Sequence, residues 1–166
     1  MKSRVQRPVD IVVFTLLFPA MAPLVQYIPN PMVPGAIVSL NMILPVLAGH
    51  FYGPLSGAVA GGVGCLLTAL WLSNEFYAVG VISMTIVGAV AGWIGKHRSD
   101  VLSAATIILA HALNILILVR VGLLVIPPEQ VGVTLLGLAA EAVIEIVAIV
   151  LIVVSLKRWL YQAERW

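Results

Sequence analysis

An all-α, polytopic membrane protein is predicted from three observations. Hydrophobic residues make up 61% of the 166-residue chain and charged residues only 10%, far below the roughly 25% charge of ordinary soluble domains. Mean hydropathy is +1.11. The apolar residues also fall into long runs broken by proline, glycine and short polar clusters, the pattern of helices that use the bilayer as solvent. This composition excludes a disordered chain, a nucleic-acid-binding module and a water-soluble globule. The net charge is +2. The basic residues cluster at the tails and in one loop, which sets membrane orientation and does not suggest nucleic acid. The one cysteine, Cys65, supports neither a disulfide nor a metal framework.

A bilayer core takes about 20 apolar residues per helix. Six segments fit, over about 9–28, 35–51, 54–72, 77–95, 103–126 and 132–155. Together they form a single integral membrane domain, with no room for another domain between them. Pro29, Pro31 and Pro34 separate the first two segments, because proline cannot continue a helix. Gly53-Pro54 separates the second from the third, with Pro54 suited to a first helical turn. Ser73-Asn74-Glu75 is the polar break before the fourth. Lys96-His97-Arg98-Ser99-Asp100 forms the clearest loop, and Ser99 or Asp100 can cap the fifth helix. Pro127-Pro128-Glu129 ends the fifth.

With six helices every basic cluster falls on one side: Lys2, Arg4 and Arg7; Lys96, His97 and Arg98; Lys157, Arg158 and Arg165. Glu75 and Glu129 fall on the other. This positive-inside pattern puts both termini in the cytoplasm and the chain in the cell membrane as a multi-pass protein. A basic start, an apolar stretch and Ala20-Met21-Ala22 imitate a signal peptide. Pro23 just after the cleavage position argues for retention of the first helix.

Two stripes of small residues stand out: Gly49, Gly53, Gly57 and Gly61 at spacings of four, and Gly88 with Gly92 in the fourth helix. Small residues at this spacing allow close backbone approach, so Gly57, Gly61, Gly88 and Gly92 are expected at a packing or partner-docking face. The second helix with its proline, the junction Ala48-Gly49-His50-Phe51-Tyr52-Gly53-Pro54-Leu55-Ser56-Gly57 and the glycine-rich third helix resemble the substrate-binding S component of energy-coupling factor (ECF) vitamin transporters. That resemblance implies an ATP-driven uptake complex. In it this chain binds a small vitamin-like molecule, and a shared transmembrane coupling protein and ATPase subunits complete the machine and use the ATP. It also implies docking through small residues of the first helix. The stretch Pro19-Ala20-Met21-Ala22-Pro23 departs from the family's Ala-x-x-x-Ala spacing, leaving Ala20 and Ala22 for this role.

Polar residues inside a bilayer are costly and so become functional candidates. At about 1.5 Å per residue, Asn41 and Arg120 lie about 9 Å from the outer boundary and Glu141 about 15 Å. Asn114, Glu145 and His111 lie deeper, at about 18–22 Å. The resemblance puts a ligand pocket in the outer half, so the expected binding residues are Arg120, Glu141, Asn41, Trp71, Asn74, Glu75 and Tyr77. A tier with both charge signs suits a zwitterion or a ring bearing a carboxylate. Mutual neutralisation of Arg120 and Glu141 is the equal alternative. The alternative for Trp71 and Tyr77 is interfacial anchoring. His111 and Glu145 suit a buried hydrogen-bonded pair or a proton relay. Arg120 points nearly opposite His111 on one helix, at about 100° per residue. Glu141 and Glu145 share a face at i,i+4, and both ionise only with cations nearby.

No Walker A loop, HExxH, CxxC or nucleophile constellation is present, so neither an enzyme, a bound cofactor nor a metal is expected. The alternative reading is a scaffold of the MreD cell-shape type, disfavoured because Gly64-Cys65-Leu66-Leu67-Thr68-Ala69 lacks an acid. A sensor-type five-helix receptor module ranks third, since no output domain is attached.

Overall fold

The computed structural model describes residues 6–33, 37–97 and 99–163, and among them every long element is a helix. Five helices are long and apolar enough to cross a membrane: α1 (Gln6–Val25), α3 (Pro54–Leu72), α4 (Glu75–His97), α5 (Asp100–Arg120) and α6 (Val131–Ala163). The remaining one, α2 (Ile43–Tyr52), has 10 residues and is preceded by a 3-10 turn over Leu40–Met42. Ten residues rise about 15 Å, half of a bilayer core of about 30 Å. The chain is a multi-pass membrane protein. Lys2, Arg4, Pro34, Arg98 and Arg165 of the sequence reading lie outside the described residues.

The expected helix over 35–51 is therefore corrected to a short one. Its first part gives way to a non-helical strap, in which residues 26–33 and 37–39 are drawn together by an antiparallel bridge between Pro29 and Ile37 and by Val38 N–H donating to the Ile28 carbonyl at 2.9 Å. Pro29 and Pro31 lack the N–H groups a helix needs there. Asn30 replaces some of the lost bonds. Its Oδ1 accepts from the N–H groups of Met32 (2.9 Å) and Val33 (3.1 Å), and its Nδ2 donates to the Gly137 carbonyl of α6 at 3.1 Å. Irregular backbone at membrane depth is tolerated where protein covers it or where it lines a cavity.

Other boundaries follow local chemistry. Pro54 opens α3. Ser99 caps α5 by accepting from Leu102 N–H at 3.1 Å. The Asn74 side chain caps α4 by accepting from Phe76 N–H at 2.9 Å. α5 stops at Arg120, short of the expected 126. Gly122 adopts φ +77°, and Leu123 N–H reaches back to the Leu118 carbonyl at 3.0 Å, while Gly122 N–H bonds Val119 at 3.2 Å. That bond pair is a Schellman stop, in which glycine takes the left-handed position at no steric cost. α6 runs on past the expected 155 for another two turns.

The helices alternate in direction. One end of the bundle carries Lys96, Lys157 and Arg158; the other carries Glu75 and Glu129. α4 packs on α2, α3 and α5; α1 packs on α3 and α2; α6 leans on α5. Ile43 through Gly49 of α2 are all buried, and a helix apolar all round belongs in the core. Leu16, Leu66, Leu70, Ile82, Ile108, Leu116 and Leu151 face outward, where lipid would solvate them.

At the basic end the packing rests on glycine. A Cβ on Gly57 of α3 would overlap the Gly88 carbonyl of α4, one on Gly88 would overlap Gly57, and one on Gly49 of α2 would overlap Gly88 as well. Gly61 meets the Met84 carbonyl, and Gly92 lies against Pro54, whose N would stand 2.5 Å from an added Cβ. The stripes thus join three helices of this one chain. Gly53 has a different role: it sits at φ +97° between α2 and α3, with open space where a Cβ would point and its backbone against Gly92. On α1, Ala22 is fully buried and Ala20 is exposed, so the two do not share one docking face.

Candidate functional site

A cavity of about 380 Å³ opens where the strap meets α2. Its floor is the start of the half-helix, Ser39, Asn41 and Met42; α4 supplies Phe76, Tyr77, Gly80 and Met84; Phe18, Cys65 and Asn114 come from α1, α3 and α5; Gln26, Ile37 and Asn74 close the rim. The polar lining consists of amides and hydroxyls, with no ionic side chain among the described residues. The 3-10 turn and α2 run away from the cavity, so the positive end of their peptide dipoles faces it.

Asn41 is the distinctive group. It is 1% exposed, yet neither its Nδ2 nor its Oδ1 has a hydrogen-bond partner among the described residues. The Tyr77 hydroxyl is close enough to interact with the amide, but no pair of atoms reaches hydrogen-bond geometry. An unmade bond on a buried amide costs about 1–3 kcal/mol, so the group has a donor and an acceptor free to offer a guest. Around it the polar groups are partly engaged. Ser83 Oγ donates its proton to the Gly80 carbonyl at 3.0 Å and lies 3.4 Å from Asn114 Oδ1, which can share it. Cys65 Sγ donates to the Tyr77 carbonyl at 3.1 Å.

Of the residues expected at a ligand site, Asn41, Asn74 and Tyr77 line this cavity together, and so does Asn114, whose role was open. Arg120, Glu141, Trp71 and Glu75 are not in its lining. Arg120 is exposed at the end of α5, Trp71 is 62% exposed on α3, and Glu75 is exposed in the first turn of α4. Glu141 is buried, but its Oε1 accepts the Ser39 N–H at 2.6 Å, so it bonds the strap and not Arg120. The charged tier argued from depth is corrected on this point, and with it the argument for a zwitterionic ligand. Depth along a helix leaves azimuth open, and Arg120 stands nine residues and half a revolution from the inward-facing His111.

Below the cavity His111 Nε2 and Glu145 Oε2 are 2.6 Å apart, both buried, as expected of a hydrogen-bonded pair. Glu141 adjoins them: one ligand-type atom from each of the three lies within 4.8 Å of the others. At the basic end Asp100 Oδ1 meets Lys157 Nζ at 2.6 Å and His50 Nε2 at 3.3 Å. The strap residues Gln26, Ile37 and Ser39 were missed from sequence; the signal available was the density of prolines with Asn30 between them.

Comparison with known proteins bears on what such a chain is. No curated protein and no solved structure matches it. A family model, 5TM-5TMR_LYT, described as 5TMR of 5TMR-LYT, matches residues 1–159. This finding overturns both the resemblance to ECF S components and the MreD-type alternative. The vitamin-uptake function goes with the first, and the coupling protein and ATPases had no support apart from it. The five long helices agree with the matched model. Covering nearly the whole sequence, the match places this chain in the five-transmembrane 5TMR-LYT family.

Proposed function

We propose that the chain is a non-enzymatic, ligand-binding receptor module. It would hold a small polar molecule, one with a carbonyl or hydroxyl acceptor on a partly apolar frame, in the cavity at the break in the second helix. The observation that carries this reading is the fully buried, unpartnered amide of Asn41 in that cavity. Phe18, Phe76 and Met84 supply the apolar wall, and pockets of this kind pair such walls with a few polar groups that fix orientation. The dipole end, with no cation among the described lining residues, favours a neutral molecule with electron-rich oxygen over a dianion.

The strap and α2 together complete a sixth passage through the bilayer, which puts both termini and the basic end in the cytoplasm and the cavity toward the outside. Labelling of a cysteine introduced at Lys96, on a Cys65→Ala background, tests this: protection from an impermeant reagent in intact cells is expected, and labelling refutes it.

The binding test uses the purified chain in lipid nanodiscs and a panel of small amides, hydroxy compounds, nucleobases and carboxylates. A ligand should raise the melting temperature of wild type and not that of Asn41→Leu. A ligand that stabilises both equally binds elsewhere and refutes the site.

A further inference from the structure

We propose that His111, Glu141 and Glu145 form a site for one divalent transition-metal ion of the zinc class, within the membrane and separate from the cavity. The three residues come from the facing helices α5 and α6, all are buried, and one donor atom from each lies within 4.8 Å of the others. Glu145 is 0% exposed, and its Oε1 has no hydrogen-bond partner. That atom is a bare acceptor in the core of a membrane protein, where lone pairs are normally satisfied. Its other oxygen is held by His111 at 2.6 Å.

The charge arrangement points to a cation. Two carboxylates one turn apart repel each other strongly when shielded from water. Among the described residues no lysine or arginine pairs with either of them. A divalent ion neutralises both at once. One imidazole nitrogen with two carboxylate oxygens is a donor set that zinc-class ions accept, with a fourth position left for water or another ligand. The Ser39 N–H bonded to Glu141 Oε1 at 2.6 Å leaves Oε2 for the ion and fixes the carboxylate's orientation, the usual task of an outer-shell partner. Entry of the ion must open the His111–Glu145 contact to about 3.3 Å, the edge of a tetrahedron with bonds near 2.0 Å.

The test strips the full chain in nanodiscs with a chelator, adds zinc(II) or cobalt(II), removes free ion and measures what is retained. Wild type should keep about one ion per chain. Glu145→Gln and the His111→Gln/Glu145→Gln double variant should lose affinity by more than the roughly 10–100-fold that loss of an outer-shell partner costs. Bound cobalt(II) should show the intense visible bands of a four-coordinate site. Folded wild type that retains no more ion than the folded double variant overturns the proposal. If the variants do not fold, wild type decides alone, and no retained ion, or the pale spectrum of hydrated cobalt(II), overturns it. Asn41→Leu should retain metal normally, so failure of the cavity reading and failure of this one are told apart.

Discussion

The two ends of this bundle solve the same packing problem in opposite ways. At the basic end α2, α3 and α4 are so close that Gly49, Gly57 and Gly88 leave no space for a methyl group. At the acidic end the same second segment unwinds, is held by side-chain hydrogen bonds from Asn30 and Glu141, and leaves a cavity beside an amide with no partner. Backbone-to-backbone contact leaves no room between α2, α3 and α4, and the open cavity of about 920 Å³ at this end lies beside those contacts, against His50, Lys96 and Trp159. A strap held by a few polar bonds gives room, at lower local stability. The difference teaches that the cavity at the strap depends on where the second helix stops.

The largest predicted effect tests the tight end. In Gly57→Leu the new Cβ meets the backbone of Gly88, which no rotamer change relieves. We expect a loss of about 3 kcal/mol, the upper part of the range for overpacking, read as a collapse of melting temperature or of monodisperse yield. A variant as stable as wild type would show that α3 and α4 are not in contact there.

Next comes the strap. Asn30→Ala removes the three hydrogen bonds that tie it to itself and to α6. At about 0.5–1.5 kcal/mol each in net terms, and with the Gly137 carbonyl keeping its own helical bond, a loss of about 2 kcal/mol is expected. Hydrogen exchange should localise it: faster exchange at Met32, Val33 and Val38, with α3 and α4 unchanged. Uniform acceleration across the bundle would mean that the two ends are one cooperative unit.

Sequence reading served these two ends unequally. The tight end was legible because its signals are local: Gly53-Pro54 marks the turn, Ser99 caps α5, and glycines at spacings of four announce close approach. At the open end, Ile37 and Val38 read as helix on hydropathy, although Pro29 and Pro31 had already removed the donors that a helix requires. Gly122 was a stop signal hidden in an apolar run. Depth arithmetic picked out polar residues along each helix but not their direction. It therefore brought in Asn41, which lines the cavity, and also Arg120, which turns outward; Asn74 and Tyr77, which join Asn41 at the cavity, and Trp71, which turns outward, came from the resemblance. Whether Glu141 would reach the strap or Arg120 depended on a tertiary contact 102 residues apart.

Asn41→Leu should change stability with the opposite sign. It replaces a buried amide without partners by an apolar group of similar volume in a cavity that already has apolar walls. A gain of about 1 kcal/mol in thermal or denaturant unfolding is expected, together with loss of ligand-induced stabilisation. On the proposed reading, the fold bears this cost because the amide serves the site. A clear loss of stability would mean that the amide has structural partners, and the contrast between the ends would weaken accordingly.

The smallest effect is expected at the charged fringe of the tight end. Lys157 Nζ lies 2.6 Å from Asp100 Oδ1, but the lysine side chain is 52% exposed, and an ion pair open to solvent is worth about 0.2–1 kcal/mol. Lys157→Met also leaves Asp100 with a second partner, since His50 Nε2 approaches the same oxygen at 3.3 Å. Asp100 sits in the first turn of α5, where the helix dipole favours a negative charge with or without the lysine. A loss below about 1 kcal/mol is therefore expected, smaller still at high salt because exposed charges are screened over about 10 Å at 0.1 M. Asp100→Asn should cost more. It withdraws the carboxylate from His50, whose side chain is 4% exposed and whose Nδ1 already lacks a partner. If Lys157→Met proved as damaging as Gly57→Leu, charge and not backbone contact would be holding the tight end together, and the contrast drawn between the two ends would fail at its better-packed side.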